Sequence, residues 1–199
     1  STTVIWETPF MSSKSELRKK YIKIRKEIPH DLLMEAEASL LDLVQSNSQL
    51  FQNKRIACYS SIENEMPTHS LIELFLDMKS DIYLPKMIEG SKILQFKQLE
   101  TREALKENSL GILEPTSNKE IDPNDLEIIL LPCVCFDEMG YRVGMGKGYY
   151  DYSLANIENS NPKLIILAYD FQKVEHSFPE KFDVKADACI TDKKFYKFY

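Results

Sequence analysis

Chemistry concentrates in one short stretch, GYRVGMGKGYYDYSL, at residues 140–154. Gly144, Gly146 and Gly148 alternate with Met145 and Lys147; Arg142 precedes them, and Tyr149, Tyr150 and Asp151 follow. Two familiar nucleotide patterns fail here. The pattern G-x-x-x-x-G-K-[ST] needs Ser or Thr after its lysine, where this chain has Gly148, and the glycine spacing does not match G-x-G-x-x-G. The glycines alone are equally consistent with a structural turn. Their neighbours favour a ligand. Glycines allow close backbone approach and expose N–H groups to an anion. Arg142 and Lys147 add fixed positive charge, and a helix opening near 148–152 would turn its positive end the same way. Asp151 is a hard oxygen ligand suited to a magnesium ion bridging phosphates. Tyr149 and Tyr150 can pack on a planar ring or donate hydrogen bonds, although at least one of them is expected in the core. The stretch therefore reads as a magnesium–nucleotide or phosphoryl-transfer site.

A second basic pair lies near the start of the chain. Leu17, Tyr21, Ile24 and Ile28 recur at helical spacing over 13–28, with Ser13 as N-cap, Glu16 as its capping-box partner and Pro29 as the stop. Lys14 and Arg18, four apart, project from one face of this helix. Taken alone they read as a solvated basic face.

The elements that must position these groups alternate along the chain. A second helix is read over 32–50 and another near 68–79. Short β-rich runs fall at 55–60, 81–85, 92–99, 127–132, 163–170 and 188–191. This order predicts an α/β fold, a three-layer α/β/α sandwich around a largely parallel, Rossmann-like central sheet. Ligands in such sheets gather outside the carboxyl ends of the strands, and the glycine loop follows the strand at 127–132. Residues 101–125, where Asn, Ser, Pro and Lys cluster, read as a surface excursion. No repeat or linker divides the chain.

Composition bounds the partners. The chain has 199 residues, 43% hydrophobic and 28% charged, and a formal net charge of −6. That balance argues against nucleic acid as a partner recognised through the overall field, while leaving room for a local basic pocket. No apolar run approaches the roughly 20 residues of a membrane span. Cys58, Cys133, Cys135 and Cys189 sit in apolar runs without C-x-x-C spacing and read as buried reduced thiols. The three histidines share no metal-ligand spacing. Residues 1–11 read as an N-terminal extension, either disordered or added ahead of a natural start at Met11, and 12–199 as one domain. Without a secretory or transit pattern, a cytoplasmic location is expected.

The segment LPCVCFDEMGYRVGMGKGYYDYSL resembles the 5-formyltetrahydrofolate cyclo-ligase family, whose pattern is close to P-G-x-x-F-D-x-x-G-x-R-L-G-x-G-x-G-Y-Y-D-x-x-L. KSELR is similar to the family's K-x-x-L-R, ENEMPT to its E-x-x-T, and GILEP and the run through Gln172, Pro179 and Asp183 also match. The resemblance implies ATP-binding roles for Lys14, Arg18, Arg142, Gly144, Met145, Gly146, Lys147, Gly148, Tyr149 and Tyr150. It implies folate contacts from Ser60, Glu65, Met145, Tyr149 and Tyr150, and metal binding by Asp151 and Asp183. Catalytic roles fall to Lys147, Arg142 and Tyr150. Departures from the pattern are Cys133 for a glycine, Met145 and Tyr152 at variable positions, and Phe182 in place of a histidine.

The resemblance further implies ATP- and Mg2+-dependent cyclisation of 5-formyltetrahydrofolate, polyglutamylated or not, to 5,10-methenyltetrahydrofolate by a monomeric enzyme. Phosphoryl transfer to the formyl oxygen would precede attack by N10. Two alternatives stand beside this expectation: another small nucleotide-dependent kinase or ligase, and a catalytically silent folate- or nucleotide-binding protein on the same scaffold.

Overall fold

The computed structural model describes residues 13–101, 103–158 and 162–199. The extension expected over 1–11 lies outside them. Ser13 Oγ accepts from the Glu16 amide at 3.2 Å and caps helix α1, Lys14–Lys26, within the expected span. The helix expected over 32–50 is two helices, α2 (His30–Ser46) and α3 (Ser48–Phe51). Asn47 makes the break: its side-chain amide donates to the Leu43 carbonyl at 2.8 Å, satisfying one of the acceptors that a helix end leaves open.

Strand β1 (Arg55–Ala57) follows, then α4 (His69–Asp77), β2 (Asp81–Lys86) and β3 (Gln95–Gln98). The segment 101–125 is not a plain excursion. It contains β4 (Leu105–Glu107) and β5 (Leu113–Pro115), paired as a hairpin, and β6 (Glu120–Ile121), which joins the main sheet beside β3. Polar-looking strands arise here because the β4–β5 hairpin is partly exposed, so no continuous apolar run marks it. The rest is β7 (Ile128–Leu131), the hairpin β8 (Cys135–Phe136) and β9 (Arg142–Val143), α5 (Tyr149–Leu154), β10 (Lys163–Leu167), β11 (Ala188–Ile190) and β12 (Phe195–Lys197).

The main sheet has eight strands in the order β12-β11-β10-β7-β1-β2-β3-β6. Its five central strands are parallel, and β12, β3 and β6 add antiparallel edges. This is the expected largely parallel, doubly wound sheet. The two-residue period sorts the core. Ile128, Leu130, Ile165 and Leu167 pack on one face with Leu40 and Val44 of α2 and Phe75 of α4. Ile129, Leu131, Leu164 and Ile166 pack on the other with Leu154 of α5. Each fully buried side chain of this kind contributes about 1.5–3 kcal/mol. Among the described residues no helix is long and apolar enough to cross a membrane.

Candidate active site

From β1 the chain winds outward to β2, and from β7 it winds the other way to β10. The crevice at this reversal, outside the carboxyl ends of β1 and β7, is where doubly wound sheets bind ligands. A cleft of about 570 Å3 opens there. Lys14 and Arg18 of α1 line it, as do Tyr59, Ser60 and Glu65 after β1, residues 142–151, the β4–β5 hairpin tip, and Glu180 with Asp183. All the residues given an ATP, folate, metal or catalytic role from sequence line this one cleft.

Structural residues aim the glycine loop. Asp137 is buried; its Oδ1 accepts from the amides of Met139 and Tyr141 at 2.9 and 3.1 Å, closing the turn between β8 and β9. Gly140 sits in that turn at φ +95°, where an added Cβ would lie 2.7 Å from the Ala186 carbonyl oxygen and 2.8 Å from the Phe198 ring. Only glycine fits. In the loop itself Gly146 has φ +93°, and a Cβ there would stand 3.3 Å from the Arg18 guanidinium carbon. Arg18 Nε donates to the Gly144 carbonyl at 2.8 Å, so α1 grips the loop directly. Lys147 at the loop tip is exposed. Gly148, also left-handed, precedes α5, whose six residues make a short dipole.

The charged groups split into two sets. Arg142 Nη1 donates to the Pro132 carbonyl at 3.2 Å, and its guanidinium lies 5.3 Å from the Tyr150 ring centre. Among the described residues, Arg142 Nε is the buried side-chain polar atom left without a hydrogen-bond partner. Lys14 is ion-paired with Asp183 and, at 3.4 Å, with Glu180. The solvated-face reading of Lys14 and Arg18 therefore fails, since both turn inward to the cleft. Asp151 Oδ1 accepts from the Val184 amide at 3.1 Å, which brings its carboxylate to the segment bearing Asp183. Among the described residues no cluster of three or more acidic, His or Cys side chains forms a closed metal cage. Two cleft carboxylates suit instead a hard cation that arrives with phosphate oxygens and keeps its waters.

Opposite the basic groups lies a buried carboxylate. Glu65 is 7% exposed, and its Oε1 accepts from the Ile62 amide at 3.0 Å. Burial pushes its pKa up, while that hydrogen bond and the charges of Arg25 and Arg142 pull it back. Burial, then the Glu65 charge, raises the Tyr150 phenol, which therefore stays protonated as a donor at neutral pH. Ser60 donates to the Leu113 carbonyl at 2.8 Å and ties the β1 loop to the hairpin. Tyr149 packs half-buried against the core, as expected for one of the two tyrosines. Met145 lines the cleft, whereas Tyr152 and Phe182 are exposed and are not part of the lining.

Three buried polar side chains here carry no role in the sequence reading. Arg25, 1% exposed, bonds to the carbonyls of Glu63 and Cys133. Gln172 Nε2 donates to the carbonyls of Cys133 and Val134 at 3.0 and 2.9 Å, so residue 133 acts through its backbone. Glu114, 8% exposed, accepts from the Met87 amide at 2.6 Å and lines the cleft from the hairpin. Arg25 had a signal: it falls on the face of Lys14 and Arg18, seven residues beyond the latter. Glu114 lies within the matched GILEP segment, but its burial depends on a hairpin that the sequence pattern does not mark. All four cysteines are free and buried, and burial pushes the Cys58 and Cys135 thiols up to about 12.

A doubly wound sheet whose crevice joins a basic glycine loop to a carboxylate-floored cleft is the architecture of an α/β enzyme with a site for an anionic ligand. The particular family follows from known proteins. The 5-formyltetrahydrofolate cyclo-ligase family model matches residues 10–192, and the chain belongs to that family. It is 33% identical over 174 residues to the 5-formyltetrahydrofolate cyclo-ligase of Haemophilus influenzae, covering 86% of this chain and 93% of that protein. With the Escherichia coli protein of the same name it shares 32% over 145 residues, 71% of this chain and 80% of the other. The Aquifex aeolicus 5,10-methenyltetrahydrofolate synthetase structure superposes with a TM-score of 0.81 at 28% identity, over 93% of this chain and 92% of that one. The synthetase from Mycoplasma pneumoniae gives 0.74 at 26%, over 92% and 100%. This class of ligase uses ATP and 5-formyltetrahydrofolate as substrates, with a nucleotide-associated metal.

Proposed function

We propose that this cleft cyclises 5-formyltetrahydrofolate to 5,10-methenyltetrahydrofolate at the expense of ATP, the reaction of its family. A formyl oxygen is a poor leaving group. Transfer of the γ-phosphoryl group forms an O–P bond to that oxygen and releases ADP. N10 of the same substrate then attacks the formyl carbon and loses its proton; the C–O bond breaks, and inorganic phosphate departs as the ring closes. Both partners of ring closure belong to one molecule, so the protein's work is positioning and charge stabilisation.

The observation that carries this reading is the orphaned Arg142 Nε, buried in the cleft wall beside Tyr150. A buried cationic donor without a protein acceptor is costly unless a ligand supplies one. An oxygen of the transferring phosphoryl group or of the formyl group matches it. Lys14, Arg18, Arg142 and Lys147, with the amides of 144–148, neutralise the phosphates. Glu65 and the protonated Tyr150 orient the pterin, and Ser60, Met145 and Tyr149 flank it. Asp151 and Asp183 would hold Mg2+, which would supply positive charge beside the phosphates. For Asp183 to do so, Lys14 must leave its ion pair and turn to the nucleotide. No histidine lines the cleft among the described residues, and burial holds the Cys133 thiol far above neutrality, so no covalent nucleophile is assigned.

The test is the absorbance of methenyltetrahydrofolate in the presence and absence of ATP and Mg2+. Product should form only with both. ATP consumption without that absorbance would point to a kinase or ligase with another acceptor, and folate binding without ATP hydrolysis to a silent binding protein.

A further inference from the structure

We infer that Arg25 is a positioning residue that sets the folate-binding carboxylate Glu65 against the glycine loop; this rests on the role proposed for Glu65. The guanidinium is 1% exposed yet touches no carboxylate at ion-pairing distance among the described residues. Its three contacts go to three separate loops that border the cleft. Nε donates to the Glu63 carbonyl at 3.0 Å, Nη1 to the Cys133 carbonyl at 3.2 Å, and Nη2 lies 3.8 Å from Met145 Sδ. One planar fork thus fixes the turn before Glu65, the end of the β7 loop and the middle of the glycine loop. A lysine, a point charge with no fork, cannot hold all three directions at once.

The turn it holds needs holding. Glu63 and Asn64 are consecutive non-glycine residues in the left-handed region, at φ +47° and +61°. Such residues are strained and persist where the surroundings impose them. The imposition is reciprocal, because the Asn64 side chain donates back to the Arg25 carbonyl at 3.2 Å and Tyr169 Oη donates to the Asn64 carbonyl at 3.0 Å. The strained turn delivers Glu65 to the cleft floor. The charges and titratable groups around that carboxylate are Arg25 from α1, Glu63 from the turn, Arg142 from β9, Tyr59 after β1, Cys133 after β7, Tyr150 from α5 and Tyr169 after β10. Arg25 and Arg142 are the cations among them, and both favour the ionised carboxylate that accepts from pterin N–H groups.

The experiment compares Arg25→Lys and Arg25→Met with the wild type, reading 5-formyltetrahydrofolate and ATP binding by calorimetry across pH. For R25M, folate affinity should fall about tenfold or more, the loss expected for hydrogen bonds to a displaced charged group. Its acid limb of binding should move to higher pH, since Glu65 loses a neighbouring cation. R25K should return that limb towards the wild-type position, because the charge is kept, but leave affinity low, because the fork is lost. In a Glu65→Gln background, R25K should cost little more, since both act through one group. Wild-type folate affinity in R25K, or the same loss with and without Glu65, would overturn the assignment. Because binding is read apart from turnover, a wild type that binds folate but does not cyclise it would sink the proposed reaction and leave this inference standing.

Discussion

Lys147 and Glu65 stand at opposite extremes of exposure, and replacing them should separate activity from stability in opposite ways. Lys147 is exposed at the loop tip. Lys147→Ala should therefore leave unfolding free energy within about 0.5 kcal/mol of wild type. If the lysine charge meets the transferring phosphoryl group as proposed, losing it should lower kcat/KM by about 10²–10³-fold, the scale for deleting one stabilising donor. Normal turnover in K147A would remove the lysine from the mechanism. Glu65 works the other way. Burial raises its pKa above that of the unfolded chain, so the stability it permits is complete below the ordinary glutamate range and falls as pH rises through the raised value. Glu65→Gln never ionises and keeps an acceptor for the Ile62 amide. Thermal melts of E65Q and wild type should coincide in acid, with E65Q melting higher at neutral pH while folate turnover drops. A wild type that melts above E65Q at neutral pH would mean that the arginines outweigh burial.

The β4–β5 hairpin and the β8–β9 hairpin show how differently elements reveal themselves in sequence. Strands β7 and β10 are buried on both faces and read as continuous apolar runs, so the parallel core and its crevice were legible. So were the cleft groups with special chemistry: glycines, a lone loop lysine, and acids flanking them. The hairpins were not, because three-residue and two-residue strands are too short to leave a period to count. The glycine loop was legible as a ligand loop, but Asp137 and Gly140, which aim it, act through amides and a carbonyl far along the chain. Gly140→Ala puts a methyl against the Ala186 carbonyl and Phe198, and should cost about 1–3 kcal/mol of stability by overpacking, read by denaturant unfolding. Unchanged stability would show that the C-terminal segment yields freely. The other hairpin bears on substrate: Leu110 and Leu113 are 55% and 42% exposed but line the cleft. Replacing both by Ser should raise the KM for folate by roughly tenfold, about the loss of one buried aliphatic contact, with little change in melting temperature. An unchanged KM would place the substrate's arene elsewhere.

Distant parts of the chain converge on the cleft, with Lys14 near the start of the described residues and Asp183 near their end, so ligand binding should be felt by the whole fold. Saturating a site at one hundred times Kd adds about 2.7 kcal/mol of stability. For a chain of this size that corresponds to a rise of roughly 5–10 °C in Tm. The ion pair between Lys14 and Asp183 makes the rise depend on the metal. ATP alone must draw Lys14 from a carboxylate that then faces the phosphates unneutralised, at a like-charge cost in a partly desolvated site. If Asp183 is a metal ligand as proposed, it would exchange one cation for another when Mg2+ is present, releasing Lys14 to the nucleotide. Wild-type protein should therefore show a small shift with ATP and a much larger one with ATP and Mg2+. In Asp183→Asn the lysine keeps just the 3.4 Å pair with the exposed Glu180 carboxylate: ATP alone should shift Tm more than it does in wild type, and Mg2+ should add little beyond it. A D183N protein that keeps the full metal-dependent increment would exclude Asp183 as a metal ligand and leave Asp151 to hold the ion.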